Sequence, residues 1–389
     1  MSEKRDTLPQ GWEWKKLEDI TSKTKNKNPL SEPEKYFTYI DISSIDNCFF
    51  EIKEPKYLIG NEAPSRAKKE VEKGDILFAT TRPNLKNIAM VEKDFENPIA
   101  STGFCILRGD KKIENKYLFY FLFTKNLSEQ VESKIRGAQY PAIADKDLMN
   151  CTIPLPPLEE QRRIVGVLDR LFGKVDKSIA LLDESIASAS TLMPSALNEV
   201  FEELGEKWEK KFLNQVTINH DGKRIPIKED KRIKNINGYP YYGASGIVDY
   251  VDDYIFDGEY LLISEDGANL VIRKTPIAFI ASGKFWVNNH AHIVQAIQEI
   301  TSNKYLEYFF AHVDISLYIT GAAQPKLSQK KLFEIPIIIP PLDIQTQTVA
   351  YLDALHVKAD ALKKAQEKKK EALLALKASL LESAFKGEL

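Results

Sequence analysis

The sequence is poor in cysteine, in histidine and in long apolar runs. It contains three cysteines and five histidines in 389 residues. This odd, scattered set does not suit a disulfide framework and indicates a reducing compartment, where we expect Cys48, Cys105 and Cys151 to be small buried side chains. The most apolar run, residues 335–342, is too short to cross a bilayer and is broken by prolines. Because the N-terminus also lacks an apolar signal core, we expect a cytoplasmic protein without a membrane partner.

Catalytic motifs are missing as well. We find no Gly-x4-Gly-Lys-Ser/Thr phosphate loop, no glycine-rich cofactor loop and no Asn/Asp-Pro-Pro-aromatic motif of an adenine methyltransferase. His290 and His292 could share a strand face, but no cluster of cysteines or carboxylates completes a metal site. A nuclease-like pattern, residues 51–53 (Glu-Ile-Lys) after Asp41 or Asp46, is too common to distinguish from a surface strand. We therefore expect no catalytic residues, no metal and no cofactor in this chain.

The sequence does contain an internal duplication. Residues 137–169 align with residues 321–353 without a gap, at an offset of 184 and with 13 identities in 33 positions. Weaker matches occur upstream in the same order, pairing residues 74–79 with 258–263 and Trp14 with Trp208. The chain is therefore a globular block followed by a helix, written twice.

Each globular block is predicted to be rich in β-structure. Short β-prone runs separated by turn signals lie at residues 36–42, 75–79, 88–92, 104–108, 260–263, 278–281 and 292–296. One amphipathic helix is expected in each block, at residues 115–131 and 302–317.

A long helix follows each block. Residues 158–203 and 342–385 carry apolar residues at alternating spacings of three and four, which is typical of a coiled-coil seam. Pro194 predicts a kink or break in the last third of the first helix. A lysine-rich stretch, residues 363–371, interrupts the seam of the second helix. Paired antiparallel, the two helices would leave one domain at each end, in the shape of a dumbbell.

The predicted fold class is therefore α+β. Two mixed, mainly β domains are separated by two long antiparallel helices, which form a coiled-coil spacer in a pseudo-two-fold tandem repeat. The predicted bounds are residues 1–155 and 205–339 for the domains and 156–204 and 340–389 for the helices.

The signal for nucleic acid is local, since the formal net charge is only −2. Residues 207–234 hold nine Lys or Arg against four acidic residues, a balance that suits phosphate contact. A solvated loop is an equally good interpretation of this segment taken alone. The candidate DNA-binding residues here are Lys223, Arg224, Lys231 and Arg232, with Lys25 and Lys27 in a similar early position of the first block.

More specific candidates follow equivalent strands of the two blocks. They are Thr80, Thr81, Arg82, Asn84 and Lys86 in the first block, and Ser264, Glu265, Asp266, Asn269 and Arg273 in the second. Arginine suits guanine, asparagine suits adenine, and a carboxylate can accept a hydrogen bond from cytosine. Divergent polar side chains in equivalent loops are what two readers of different sequences need, although ordinary hairpin tips are the alternative.

The glycine turns of the duplication supply further candidates. Gln139, Gln324 and Lys326 lie in the segments that start with Gly137 and Gly321. The glycines and prolines favour a structural turn before the helix, whereas the glutamines could reach DNA.

These segments resemble the specificity subunits of Type I restriction–modification systems. The resemblance covers essentially the whole chain and is carried by Gly-Ala-x-Gln-Pro-x-Leu-Ser-x-x-x-Leu at residues 321–332 and Ile-Pro-x-Pro-Pro-Leu-x-x-Gln at residues 153–161, each followed by a long helix. The first copy departs from the family pattern at Tyr140, where a glutamine is expected, and at Ala144, where a serine is expected.

The resemblance implies that each block is a target-recognition domain reading one half of a split site in double-stranded DNA. The helices would set the gap between the halves. Two modification subunits, which bind S-adenosylmethionine and methylate adenine, and restriction subunits, which use ATP and Mg, would be the partners. The alternatives are a stand-alone two-domain DNA-binding adaptor and a metal-dependent nuclease that uses Glu51 and Lys53.

Overall fold

The chain forms two compact units, each built from one globular domain and parts of two long helices. The computed structural model describes residues 8–137, 139–228 and 238–389. The first unit comprises the chain up to Leu181 together with Lys369–Leu389, and the second comprises Leu182–Lys368. Within the described residues, no helix is both long and apolar enough to cross a membrane.

The described part of the first unit contains twelve strands and three short helices before its long helix. The strands are β1 (Glu13–Lys16), β2 (Thr21–Ser22), β3 (Tyr36–Ile40), β4 (Ile45–Asp46), β5 (Glu51–Ile52), β6 (Lys56–Ile59), β7 (Ala67–Glu70), β8 (Ile76–Ala79), β9 (Ile88–Met90), β10 (Ile99–Ser101), β11 (Phe104–Gly109) and β12 (Thr152–Leu155). The helices are α1 (Asn115–Phe121), α2 (Lys125–Glu132) and α3 (Asp145–Met149). The strands form two four-stranded sheets, in the orders β6-β3-β10-β7 and β2-β11-β8-β9, and two pairs, β1-β12 and β4-β5.

The helix expected over residues 115–131 is in fact two helices. The first ends at Phe121, and Thr124 caps the second, because its hydroxyl accepts a hydrogen bond from the Leu127 amide at 3.3 Å. The apolar period continues across this break, so the periodicity alone did not reveal it. Cys105 and Cys151 are buried as expected, whereas the expectation was wrong for Cys48, which is exposed.

After the first long helix, α4 (Leu158–Lys207), the second unit holds the remaining strands and short helices. The strands are β13 (Lys210–Phe212), β14 (Thr217–Asn219), β15 (Tyr239–Gly243), β16 (Gly246–Val251), β17 (Phe256–Ser264), β18 (Ala278–Val287), β19 (Ala291–Ala296) and β20 (Pro336–Ile338). The helices are α5 (Leu213–Val216), α6 (Asn269–Ile272), α7 (Asn303–His312), α8 (Gln329–Phe333) and the long α9 (Leu342–Lys386). Six strands form one sheet in the order β14-β19-β17-β18-β15-β16, and β13 pairs with β20.

The long helices agree with the predicted ones to within a few residues at each end. α4 runs through Pro194 without a break, so of the predicted kink or break the break does not occur. A proline removes one amide donor and strains one turn. The helix remains continuous because the neighbouring turns bury Ala189, Ala196 and Leu197.

The two long helices are antiparallel where they meet inside each unit. In the first unit Asp176 of α4 pairs with Lys377 of α9 at 2.6 Å, and the Arg163 guanidinium donates to the Leu389 carbonyl. In the second unit Phe201 near the end of α4 shares a core with Leu352 near the start of α9. Early residues of one helix thus meet late residues of the other, which confirms the antiparallel coiled-coil prediction.

The predicted seam is incomplete in α9. Leu362 and Leu376 were expected in it but are exposed. They flank the lysine-rich residues 363–371, which place charge on successive turns and leave the neighbouring leucines without an apolar partner. The seam is buried mainly towards the helix ends, where the domains also contribute side chains.

The duplication preserves the contacts that fasten each domain to its helix. The buried side chain of Gln161 in α4 accepts a hydrogen bond from the Glu114 amide at 2.8 Å and donates to the carbonyls of Lys112 at 3.0 Å and Pro156 at 2.8 Å. Gln345, its counterpart in α9, likewise donates to two carbonyls and accepts one hydrogen bond. Each amide is satisfied on all sides, so the start of each long helix is held firmly against its domain.

A second duplicated contact, between a tyrosine of the domain and an aspartate of the long helix, lies about two turns further along the helix. Lys116 and Tyr120 of α1 both contact Asp169 of α4, with Lys116 at 2.9 Å. In the second copy Tyr308 of α7 donates to Asp353 of α9 at 2.5 Å. Asp169 and Asp353 match in the internal alignment, so the duplicated contacts build the frame that positions the loops described next.

Candidate nucleic-acid interface

A strand-end loop and a glycine turn lie side by side in the first unit. The first strand-end loop is residues 80–86, after β8, and the first glycine turn is residues 136–143, of which Ala138 lies outside the described residues. The Arg82 amide donates to the Pro141 carbonyl at 2.7 Å, and the Ile143 amide donates to the Thr80 carbonyl at 2.9 Å. The structure therefore brings together two segments that the sequence singled out separately.

The second unit repeats this backbone arrangement. The second strand-end loop is residues 265–273, after β17, and the second glycine turn is residues 320–327. The Gly267 amide donates to the Pro325 carbonyl at 3.0 Å, and the Leu327 amide donates to the Glu265 carbonyl at 2.7 Å. By this pattern Thr80 corresponds to Glu265 and Arg82 to Gly267.

The glycines that open the two turns are structural requirements. Gly137 and Gly321 have φ angles of 88° and 84°. A Cβ atom would lie 2.8 Å from the Tyr140 carbonyl oxygen in the first turn and 2.5 Å from the Gln324 carbonyl oxygen in the second. Only glycine fits both the backbone conformation and the space. The glycines thus shape the turns, and the exposed side chains beside them are left to face a ligand.

The side chains of the first pair of segments are basic and aromatic. Arg82 has a left-handed backbone, with φ of 49°, and its guanidinium lies 5.6 Å from the centre of the Tyr140 ring. Tyr140 is 64% exposed. Asn84, Lys86 and the predicted Gln139, in the same two segments, are exposed as well. The cation and the ring hold each other at the surface, where both can meet a nucleic acid.

Two predicted contact residues are buried. The Thr80 hydroxyl donates to the Gly103 carbonyl at 3.0 Å, and the Ser264 hydroxyl donates to the Ala244 carbonyl. Both side chains fasten the end of a strand to a neighbouring loop, so neither hydroxyl is accessible to DNA in this conformation. Thr81, next to Thr80, is partly exposed.

An ionic cluster holds the second strand-end loop. Glu265 lies between two cations, 2.5 Å from the Arg224 guanidinium and 3.2 Å from the Lys326 ammonium. Arg224 also pairs with Asp221 at 3.3 Å, and Asp221 contacts the buried His292 at 2.6 Å. Arg224 and Glu265 were predicted to contact DNA, but their charged groups face each other below the surface. Their role in the structure is to position the loop.

The protonation of this cluster follows from its partners. Burial opposes ionisation of Glu265, but hydrogen bonds from Arg224 and Lys326 and the charge of His292 outweigh it, so the pKa of Glu265 is lowered. The His292 ring contacts the Asp221 carboxylate through one nitrogen and the Leu327 carbonyl through the other, at 2.8 Å. Both partners are acceptors, so the ring satisfies both only when each nitrogen carries a proton.

Two other predicted residues of the second loop also have structural partners. Asn269 exchanges two hydrogen bonds with the backbone of Thr275, each at 3.0 Å. Arg273 donates to the carbonyls of Phe310 at 3.0 Å and Val313 at 2.6 Å, at the end of α7. Asn269 is partly exposed, whereas the Arg273 guanidinium is committed to capping that helix.

The remaining predicted lysines are less closely grouped. Lys25 is exposed beside β7, and Lys27 pairs with Glu32 at 3.3 Å. Lys223 is exposed in a single 3₁₀ turn. Lys231 and Arg232 lie outside the described residues. The basic segment starts at the last residue of α4, Lys207, and continues into the strand β13.

Each unit adds one side chain, beside its own loop and turn, that the sequence did not nominate as a DNA contact. Arg136, at the start of the first glycine turn, has a side chain that is 81% exposed, and His290 contacts Asp266 at the second strand-end loop at 2.8 Å. Arg136 corresponds to Thr320, because Arg136 forms a β-bridge with Ala142 in the first turn and Thr320 forms one with Lys326 in the second. The constant offset of the duplication would have revealed this difference as a divergent position inside a shared frame.

The residues considered for a nuclease form a small hairpin instead. Asp46 and Glu51 are opposite each other in the β4-β5 pair. The Asp46 carboxylate accepts the Cys48 amide at 2.9 Å and pairs with Lys53 at 3.3 Å. This is a turn-stabilising arrangement. Across residues 8–137, 139–228 and 238–389, no three His, Cys, Asp or Glu side chains are grouped so as to hold a metal ion.

Comparison with known proteins matches both halves of the chain to one family. Residues 9–184 and 205–371 match the family model of the Type I restriction modification DNA specificity domain. The type I restriction enzyme specificity subunit S.HindORF215P of Haemophilus influenzae is 38% identical over 151 residues, which are 39% of this chain and 38% of that protein. That alignment therefore spans less than half of the relative's length.

Solved structures are similar over the full chain. The HsdS subunit from Thermoanaerobacter tengcongensis is 32% identical, with a TM-score of 0.65 and 100% of both chains covered. A chain solved in work on complex assembly and conformational transition of the type I R-M system is 31% identical, with a TM-score of 0.86 over 99% of this chain and 100% of that chain. These similarities confirm the predicted fold class, with its two domains and its helical spacer.

Proposed function

Because the chain belongs to the Type I restriction–modification DNA specificity family, we propose that it reads a split DNA site, one half with each domain, for an assembly whose other subunits do the chemistry. The family's named members are specificity subunits of Type I restriction enzymes, so this chain is not itself an enzyme. Recognition of two half-sites and recruitment of partners are the parts that we propose.

The observation that carries the proposal is the pair of matching surfaces. Both units join a strand-end loop to a glycine turn through the same backbone hydrogen bonds. The side chains at equivalent positions differ, with Arg82 against Gly267 and Tyr140 against Gln324. A shared frame with different exposed groups supports two readers that recognise different bases in a similar manner.

The chemistry of each surface suggests what it reads. Arg82 and Lys86 in the first domain suit phosphates or the acceptors of guanine. The exposed ring of Tyr140 offers a face on which a base or sugar can pack. In the second domain Gln324 and Lys326 are exposed on the glycine turn, beside Asp266. The surface of the second domain is therefore more acidic than that of the first, and it suits the amino groups of cytosine or adenine as hydrogen-bond donors.

The partners supply the reactions in this proposal. Two modification subunits would bind S-adenosylmethionine and methylate an adenine turned out of the duplex. Restriction subunits would use ATP and Mg to translocate and cut the DNA. The two long helices, with exposed leucines such as Leu362 and Leu376, give these subunits a surface outside the domains.

The spacer helices would set the gap between the half-sites. Asp176 pairs with Lys377 and Arg163 meets Leu389, so residue 178 of α4 lies roughly opposite residue 374 of α9. Inserting one heptad at each of these two points keeps the seam in phase and lengthens the pair by about 10 Å, at 1.5 Å per residue. At 3.4 Å per base pair the gap should grow by about three base pairs.

The test is to map methylated adenines in cells that carry the modification subunits with the wild-type chain or with the double-heptad variant. We expect the same two half-sites at a larger separation. The same seven residues inserted at the exposed Ser245–Gly246 turn serve as the control and should leave the gap unchanged. A change in the half-site sequences would contradict the division of labour, and a wild-type chain that binds a split site without co-purifying modification subunits would favour a stand-alone adaptor.

A further inference from the structure

We propose that His290, oriented by Asp266, is a DNA contact of the second domain, and this proposal rests on the proposed DNA-reading function. The ring, with a proton on each nitrogen, would donate from Nδ1 to the Asp266 carboxylate and from Nε2 to an acceptor on the DNA. That acceptor is either a phosphate oxygen or the N7/O6 edge of a guanine, which share the same acceptor chemistry.

The first support is the geometry of the pair. The Nδ1 atom of His290 lies 3.0 Å and 2.8 Å from the two carboxylate oxygens of Asp266. The side chain of His290 is 49% exposed and that of Asp266 is 19% exposed. With Nδ1 occupied by the carboxylate, Nε2 is the polar atom of the ring that remains for a ligand.

The backbone around the ring is also fixed. The His290 amide donates to the Asn288 side chain at 2.8 Å, and the Glu265 amide donates to the His290 carbonyl at 2.8 Å. The Asn288 amide in turn donates to the Tyr242 carbonyl at 2.9 Å. The ring therefore stands beside the second strand-end loop in a prearranged position, so binding costs little conformational entropy.

The other charged groups around the pair are engaged with each other, so the His290 ring is the group that can donate a hydrogen bond to the DNA. Arg224 and Lys326, the cations of the same loop cluster, are both paired with Glu265. Asp266 would repel DNA by itself, but its carboxylate is directed to His290. The pair thus presents a nitrogen donor at a place where the loop is otherwise acidic.

Among the residues of the first domain that the structure describes, this contact has no counterpart. The Thr80 amide donates to the Gly103 carbonyl at 2.9 Å, just as the Glu265 amide donates to the His290 carbonyl. Gly103 therefore occupies the position of His290, and glycine has no side chain to offer. A donor present in one of two otherwise matching frames is a means for the two domains to read different half-sites.

The experiment measures affinity for the mapped site with the complex of this chain and its modification subunits. The variants are His290→Ala and Asp266→Asn, and His356→Ala, an exposed histidine of α9, is the matched control. We expect His290→Ala to bind about tenfold more weakly, equivalent to about 1.4 kcal/mol. Asp266→Asn should lose less, since it misorients the donor without removing it, and the control should bind as the wild type does.

Two further measurements identify the acceptor. A salt titration whose slope falls by about 0.9 in His290→Ala indicates a phosphate. An unchanged slope, with an affinity that no longer responds to 7-deazaguanine at one position of the second half-site, indicates a guanine. Either result supports the proposal. The proposal is overturned if His290→Ala binds with wild-type affinity. It is also overturned if the variant loses affinity with neither a lower salt slope nor a lost response to 7-deazaguanine. A wild-type complex that binds no split site would instead refute the proposed function itself.

Discussion

The ionic cluster under the second strand-end loop makes a quantitative prediction. Arg224→Leu removes the guanidinium that pairs with Glu265 at 2.5 Å and with Asp221 at 3.3 Å. Glu265→Leu removes the central carboxylate, and the double variant removes both. The Leu side chain retains part of the apolar volume of each residue, so the comparison isolates the charges.

The magnitude follows from burial. The side chains of Arg224 and Glu265 are 15% and 13% exposed, so solvent screens their charges poorly. Removing one member of such a pair typically costs about 3–5 kcal/mol, because the other charge stays buried without its partner. Lys326 remains 3.2 Å from Glu265 and is 53% exposed, so it compensates only in part. We expect about 3 kcal/mol for Arg224→Leu.

The double variant tests the mechanism. If the cost comes from a stranded charge, removing both groups should cost less than the sum of the single changes, with a coupling energy of about 2 kcal/mol. Urea unfolding followed by hydrogen exchange of peptides from the second unit measures these values. Peptides from the first unit, which contains neither residue, are the internal control.

A strictly additive double variant would refute this reasoning. It would mean that Arg224 and Glu265 act independently, each through other contacts such as the hydrogen bond from Arg224 to the Ala291 carbonyl at 2.9 Å. The loop would then be held by its backbone ladder alone. Unchanged exchange of residues 265–273 in Arg224→Leu would lead to the same conclusion.

Two more outcomes follow from buried groups. Gln161→Leu should destabilise the first unit, and Gln345→Leu the second, by about 3 kcal/mol each in denaturant titrations, because each change leaves buried backbone groups unpaired. The exposed Gln139→Leu is the control. A cost below about 1 kcal/mol for the buried glutamines would contradict their role in fastening the helices to the domains. Burial, with help from nearby Arg273, holds the pKa of His312 below its ordinary value of 6.5. The neutral ring therefore contributes its full stabilisation to the second unit above about pH 6.5. That stabilisation is lost as the pH falls from about 6.5 through the lower pKa of His312 in the folded protein. The thermal midpoint of that unit should drop between pH 7.5 and 5 in the wild type. It should drop less in His312→Phe, because phenylalanine can keep the ring stacked on Phe201. Equal drops would show that His312 is not the group responsible.

Much of the frame could be predicted because it is encoded in repeated local patterns. The Pro-Pro-Leu blocks end a strand and start a helix, and the apolar spacing after them placed α4 and α9 to within a few residues. Glycine at 137 and 321 could be recognised as structural because both copies kept it. The break at Thr124 and the continuity through Pro194 were not predicted, since both depend on how neighbouring turns are packed.

The candidate site was only partly predictable. The sequence singled out the two strand-end loops and the two glycine turns as four separate segments, and the structure joins them into two pairs. Thr80 and Arg273 had the right chemistry and turned out to serve the fold. His290 was considered only as a metal ligand, because nothing local to residues 288–292 indicates that Asp266 lies beside it.

The sequence by itself determined the duplicated plan, the antiparallel helices and the family, because these depend on periodicity and on residues repeated at a constant offset. The tertiary structure decided which polar groups are free to meet DNA. A charged side chain is available to a ligand only if no buried partner claims it, and such partners come from distant parts of the chain, as Arg224, Glu265 and Lys326 do. The sequence thus shows that catalytic motifs are absent and that two matching frames are present. The fold decides which side chains of those frames are structural and which are free for contact.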